Sequence, residues 1–306
     1  MFFGIGESVY DIVFKDNQPI RGVAGGSVFN TMISLGRLGY NPAFMSEIGT
    51  DKIGEMIISF MEENGVKSDN VYRFFEGKTP VSMAFLNERN EASYDFYMQY
   101  PEGRLDIVWP RIDNNDILIF GSYYSINPDL RQTIAELLEY ASDRKAIIYY
   151  DPNFRKNHSS MALKLMPSII ENLEFADIVR GSDEDFLNLY NETDTDRIYN
   201  NHIKFYTPIF ICTKGEGGVD LRTPLVKKHY EAKRIDAVSS IGAGDSFNAG
   251  LLHSLAKNKI EKESLNDITE EVWDEIINTA IEFASEVCQS MENYISVKFA
   301  DAIIKK

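Results

Sequence analysis

The sequence predicts one α/β domain over residues 1–306, with a mostly parallel, doubly wound sheet covered by helices on both faces and a small antiparallel β lid. Three observations carry this expectation. Short apolar runs each end in a small or polar cluster: "MFFGIGES", "PAFMSEIGTD", "DILIFGSYYS", "KAIIYYDPNFR", "ADIVRGSDED" and "PIFICTKGEGG". Segments of helical period stand between them, and that alternation is the mark of a parallel sheet buried on both sides. Two segments, about 9–23 and 71–97, break the rhythm with strands and no intervening helix.

In chain order, "MFFGI" reads as the first strand and "VYDIVFKDNQPIRGV" as a hairpin. "SVFNTMISLGRLG" follows as a helix in which Phe29, Met32, Ile33 and Leu38 share one face. In "TPVSMAFLNERNEASYDFYMQY", Val81, Met83 and Phe85 alternate with Ser82 and Ala84, which reads as a second hairpin. A small sheet made of the two hairpins could lie over a crevice and exclude water as a lid; the alternative is an antiparallel extension of the main sheet. "DLRQTIAELLEYAS" is the clearest later helix. Ligands of such sheets bind beyond the carboxyl ends of the strands. That rule draws Asp11, Asp151, Asn153, Arg155, Ser182, Asp185, Thr213 and Lys214 toward one crevice.

Composition narrows the function. The formal charge of −16, from 47 acidic and 31 basic residues, argues against nucleic acid or an anionic membrane as partner. Cys212 and Cys288 match no metal or redox spacing and read as two thiols in a reducing compartment. His158, His202, His229 and His253 form no metal-ligand pattern. With no signal peptide and no apolar run of membrane-spanning length, the expected location is the cytoplasm.

Two glycine clusters suggest chemistry. In "SSIGAGDSFNAGLLHSL", Gly242 and Gly244 precede Asp245 at the start of a buried helical pattern. A helix N-terminus offers unpaired N–H groups and a partial positive charge, and glycines let an anion approach it closely. Asp245 could then accept a proton from a hydroxyl attacking phosphorus. Plain helix capping by Asp245 is the simpler reading of the tetrapeptide taken alone. In "GVAGGSVFNTMISLGRLG", Gly25 and Gly26 stand before a helix with Asn30 one turn in, where an amide suits either a sugar hydroxyl or an ordinary polar helix position.

Together these residues resemble the ribokinase-like, or PfkB, family of carbohydrate kinases, and within it the fructokinase subgroup. "AGGSVFNTMISLGRLG" looks like the family's first signature and "SSIGAGDSFNAG" like its second, with "IGTDKIGEMI", "DPNFR", "GSDEDF" and "CTKGEGG" as landmarks between. The resemblance implies transfer of the ATP γ-phosphoryl group to a sugar hydroxyl with Mg²⁺. It makes Asp245 the base, with Gly242, Ala243 and Gly244 as anion hole. Asp11, Gly25, Gly26, Asn30 and Arg155 become substrate contacts. Ser182, Asp185, Thr213, Gly215 and Gly218 become nucleotide contacts, with no direct metal ligand and Asp185 reaching Mg²⁺ through water. Ser182 and Asp185 depart from the family's Asn and Glu. Ser239 replaces an aspartate that helps bind a monovalent cation and Ile241 a common threonine, which argues against potassium activation. The resemblance also raises a homodimer formed through the lid.

Fructose is the leading acceptor, with 2-keto-3-deoxygluconate, for whose carboxylate Arg155 or Arg104 would serve, and ribose as alternatives within the family. A dehydrogenase reading of "GIGES" lacks the third glycine of its motif, because Val9 occupies that place. A catalytically silent sugar-binding regulator is the remaining alternative.

Overall fold

Among the described residues the apolar runs become strands, nine strands standing in a mostly parallel sheet and four in a separate smaller one. A computed structural model describes residues 1–87 and 92–305. The chain forms two compact units: an N-terminal unit of Gly4–Pro110, Ile235–Ser246 and Ala284–Lys306, and a central unit of Met1–Phe3, Arg111–Arg234 and Phe247–Phe283.

The N-terminal unit takes the end of β1 (Phe2–Ile5), then β2 (Val9–Lys15), β3 (Gln18–Gly25), α1 (Ser27–Arg37), β4 (Ala43–Gly49), α2 (Lys52–Glu63), β5 (Val71–Phe74), β6 (Lys78–Leu86) and β7 (Ala92–Gln99). Helix α1 is buried from Ser27 to Gly36. Its close packing explains "GIG": a Cβ at Gly4 or Gly6 would lie 2.9 Å from the Val28 side chain. A strand, not a helix, follows "GIG", which removes the strand–glycine turn–helix context of a dinucleotide site. Asp51 of the "IGTD" landmark caps α2, accepting from Gly54 N at 2.9 Å and from Thr79 N on β6 at 2.8 Å.

The small sheet runs β3-β2-β6-β7. The outer pairs β2–β3 and β6–β7 are antiparallel as expected, but the central pair β2–β6 is parallel. The segment 71–97 also divides. Strand β5 pairs in parallel with β4 and buries Val71 and Phe74, so the small sheet begins only at Lys78. Residues 88–91 of that segment lie outside the described residues. Within the alternating stretch of β6, Ser82 and Ala84 are buried, while Val81, Met83 and Phe85 are half-buried. The apolar set of the alternation therefore lies on the more open face.

In the central unit, β8 (Ile117–Gly121), β9 (Ile147–Asp151), β10 (Ile178–Ser182) and β11 (Ile209–Thr213) are parallel neighbours. Strands β12 (Val219–Arg222) and β13 (Lys227–Tyr230) extend them antiparallel. Their helices are α3 (Arg131–Asp143), α4 (Ala162–Phe175), α5 (Asp183–Tyr190), α6 (Thr195–Ile198), most of α7 (Ala243–Lys257) and most of α8 (Glu270–Val287); α9 (Val297–Ile304) belongs to the N-terminal unit. Every residue of β8 and β9 is buried, as continuous apolar runs between two layers require. Asp151, Ser182 and Thr213 are the last residues of their strands, where the sheet offers its ligand edge. Both cysteines are free thiols. Among the described residues no helix is long and apolar enough to cross a membrane.

Candidate active site

The N-terminal unit gathers the glycine clusters and their acidic partners. Asp245 stands in the first turn of α7, after Gly242 at φ 77°. A side chain at Gly242 is excluded twice over: by that backbone angle, and by the Asn293 carbonyl oxygen, 2.2 Å from any Cβ. The Asp245 carboxylate accepts from Ser27 Oγ and from Asn30 Nδ2, each at 2.8 Å. Thr31 Oγ1 donates to the Asp245 carbonyl at 3.0 Å. The first glycine cluster thus starts a helix whose first turn holds the carboxylate of the second. Asn30 Oδ1 is buried without a partner, and an amide oxygen in that state is an acceptor waiting for a donor. Ala243 N donates to Ser240 O at 3.2 Å, a long contact.

Asp11, on β2, accepts a short hydrogen bond from the Ser82 hydroxyl on β6. Its second oxygen, Oδ2, lies beside Gly25, where a Cβ would stand 2.6 Å away. Burial pushes the Asp11 carboxyl up to about 6; the charge of Glu7 adds to the rise and the Ser82 hydroxyl opposes it. Gly26, at φ 131°, caps α1 against the Glu7 carbonyl. The Asn293 side chain lies near Gly25, while its backbone closes on Gly242.

The central unit places the nucleotide candidates on strand ends. Asp151, 1% exposed, receives Arg180 Nη1 at 2.9 Å and Asn248 Nδ2 at 2.6 Å. Arg180 Nη2 donates onward to Thr213 Oγ1 at 2.7 Å, and Tyr149 donates to Asn248 Oδ1 at 2.8 Å. The network joins three strands and α7, and breaking such a buried pair leaves an uncompensated charge. Ser182 and Asp185 form a capping box on α5: Ser182 N and Oγ both donate to Asp185 Oδ2 at 2.7 Å, and Asp185 N donates back to Ser182 Oγ. Burial raises the Asp185 pKa, the Asp151 charge adds to it, and Arg155 opposes both. Arg155 itself is exposed.

After Thr213 the chain turns through exposed Gly215 (φ 54°) to buried Gly218 (φ 83°). Lys214 N donates to Gly218 O at 2.8 Å across that turn. The Lys214 side chain does not extend toward the strand ends but pairs with Asp220 at 2.5 Å. Asp220 also binds Thr195 at 2.6 Å and His229 at 2.8 Å; although burial opposes it, these partners hold its carboxyl down to about 2. His158 and His202 stack on Tyr123 and Tyr190. Among the described residues no group of three or more His, Cys, Asp or Glu is placed to hold a metal ion.

Of the sequence candidates, Gly25, Gly26, Asn30, Asp11 and Asp245 fall in the N-terminal unit, and Asp151, Asn153, Arg155, Ser182, Asp185, Thr213, Lys214, Gly215 and Gly218 in the central one. Sequence reasoning missed Ser27, Ser82, Arg180, Asn248 and Asn293. Arg180 and Ser182 share a face of β10 by the strand's period of two, and that was the available signal for Arg180. Nothing local marks Asn293.

Comparison with known proteins agrees with this architecture. The sequence model described as pfkB family carbohydrate kinase matches residues 5–298. A fructokinase of Rhizobium leguminosarum bv. trifolii is 29% identical over 268 residues, which is 85% of this chain and 81% of the relative. Aminoimidazole riboside kinase from Salmonella enterica, solved with aminoimidazole riboside and an ATP analog, superposes with a TM-score of 0.80 at 19% identity over 99% of both chains. A fructokinase from Xylella fastidiosa with bound ATP gives 0.81 at 22% identity, over 99% of this chain and 98% of that one. The two structural likenesses establish a shared fold.

Proposed function

Since the chain belongs to the pfkB family of carbohydrate kinases, we propose that it transfers the γ-phosphoryl group of ATP to a sugar hydroxyl, fructose being the leading acceptor. The observation that carries the reading is the Asp245 carboxylate, fixed by Ser27 and Asn30 in the first turn of α7. Asp11 and Asn30 bind acceptor hydroxyls, the buried Oδ1 of Asn30 accepting one. Asp245 takes the proton of the attacking hydroxyl as its oxygen bonds to phosphorus and the bridging bond to ADP breaks. The N–H groups of Gly242, Ala243 and Gly244 take up charge on the transferring group, that of Ala243 leaving its long contact with Ser240.

In the central unit, Thr213, Gly215 and Gly218 form the nucleotide loop, and Ser182 and Asp185 serve the phosphates. When bound with ATP, Mg²⁺ would supply positive charge against the phosphates. Asp185 fits a contact with it through water, because a nearby cation relieves the burial and Asp151 repulsion that raise its pKa. Arg155, exposed and close enough for its charge to act on Asp185, is the proposed cation for substrate or phosphate. Potassium activation is not part of the proposal, since Ser239 offers a hydroxyl where a carboxylate would hold the ion.

One contact favours a neutral sugar over a sugar acid. Arg104, the cation considered for a carboxylate substrate, is bound by buried Glu47, with Nε at 2.8 Å. The face of the small sheet that carries half-buried Val81, Met83 and Phe85, with exposed Tyr97 opposite Val81, supports a homodimer in which a second copy covers it, and the proposed location is the cytoplasm. ATP-to-ADP turnover with Mg²⁺ against fructose, ribose, 2-keto-3-deoxygluconate and adenosine tests the reading. Sugar-independent silence across the panel would favour the regulator.

A further inference from the structure

Asp11 and Ser82 are register partners across the parallel β2–β6 pair. Ser82 is fully buried, on the face of β6 opposite to its half-exposed apolar residues. A buried hydroxyl in a strand otherwise suited to apolar packing calls for a partner, and its partner is one oxygen of the Asp11 carboxylate. On the other side of β2, Asp11 pairs with Val23 and Val9 with Gly25. Gly25 is thus the diagonal neighbour of Asp11 on β3, and its missing side chain leaves room at Asp11 Oδ2. One oxygen is tethered and the other lies over the bare backbone of Gly25.

We propose that Ser82 is the positioning residue for the sugar-binding carboxylate: its hydroxyl fixes Asp11 Oδ1 so that Oδ2 faces the acceptor beside Gly25. The inference rests on the reading of Asp11 as a sugar ligand. A planar carboxylate is two-fold about its last torsion and swings freely unless one oxygen is held. The charged neighbour acting on it is Glu7, which, like burial, disfavours the ionised form, so the Ser82 hydroxyl also keeps the carboxylate an acceptor near neutral pH.

Ser82→Ala and Ser82→Thr test this in the full chain, with fructose as the acceptor. Ser82→Ala is expected to raise the KM for fructose about tenfold, to leave the KM for ATP and kcat at saturating fructose within about twofold, and to move the acidic limb of kcat/KM to higher pH. Ser82→Thr, which keeps the hydroxyl, is expected to restore all three. A ¹³C titration of the Asp11 carboxyl should show the same upward shift in Ser82→Ala without any turnover. Unchanged fructose KM and an unchanged Asp11 titration in Ser82→Ala would overturn the inference. Should wild-type protein turn over no sugar while the titration still shifts, the functional reading fails and the Ser82–Asp11 tether stands.

Discussion

Asn30 Nδ2 donates to Asp245 Oδ2 at 2.8 Å while Asn30 Oδ1, on the same amide, is buried without a partner. One side chain therefore orients the proposed base with its nitrogen and presents an acceptor with its oxygen. Asn30→Ala should raise the sugar KM at least about tenfold and lower kcat as well, because a binding contact and a positioning contact are lost together. Steady-state kinetics with sugar and ATP varied separately will check this, and the ATP KM should stay close to wild type.

Asp245→Asn keeps the shape of the first turn of α7 and removes the proton acceptor. The expected result is a kcat reduced about 10²-fold or more, with ATP binding by calorimetry and the thermal midpoint near wild type. Turnover within a few-fold of wild type would show that Asp245 is not the base.

The Asp11 carboxyl, raised to about 6 by burial, gives the pH profile a definite direction. The sugar-binding form is ionised, so kcat/KM for sugar should fall as pH drops through about 6 while ATP affinity changes less. The folding effect has the opposite sign. The folded state holds this proton up to about 6, and the unfolded chain releases it near 3.8, so ionised Asp11 destabilises the fold above that window. Asp11→Asn should raise the unfolding free energy from urea melts at pH 7.5 by on the order of 1–2 kcal/mol, but not at pH 4, and it should abolish sugar binding.

Gly25 and Gly242 should respond differently to alanine. At Gly25 the new methyl meets a side-chain oxygen of Asp11 and no backbone, so Gly25→Ala should displace that carboxylate from its Ser82 tether and raise the sugar KM, at a smaller cost in stability than at Gly242. At Gly242 it meets the Asn293 backbone with φ at 77°, so Gly242→Ala should cost about 1–3 kcal/mol of stability and depress kcat. Denaturant melts beside kinetics will separate the two outcomes.

Asp151 neutralises Arg180 in the central unit at 2.9 Å, with both side chains under 10% exposed. Asp151→Asn leaves that guanidinium buried without its counter-charge. We expect a loss of about 3 kcal/mol, read as a lower urea midpoint, together with a raised ATP KM as Thr213 loses its fixed donor.

Much of this was legible in the sequence because it is local. Apolar runs such as "ILIF" and "IIYY", too short for a buried helix and each ended by a small or polar cluster, read as strands buried on two faces, and the two glycine clusters announce close approach before helix starts. The fate of β5 was not legible: a strand's pairing partner is set by distant residues, and Val71–Phe74 joins β4 because that buries Val71 and Phe74. Nor was the buried face of β6. Period two shows that Ser82 and Ala84 share a face, but only the Asp11 contact explains why the polar one turns inward. Arg180 and Asn248 sit in quoted motifs, yet their meeting at Asp151 is a tertiary event.

The most direct test of the central claim is ADP production by the purified protein with Mg²⁺, ATP and fructose, measured beside Asp245→Asn under the same conditions. The account predicts fructose-dependent turnover in the wild type and at least about a 10²-fold smaller kcat in the variant. Equal turnover by both proteins, or none by wild type with any sugar in the panel, would contradict it.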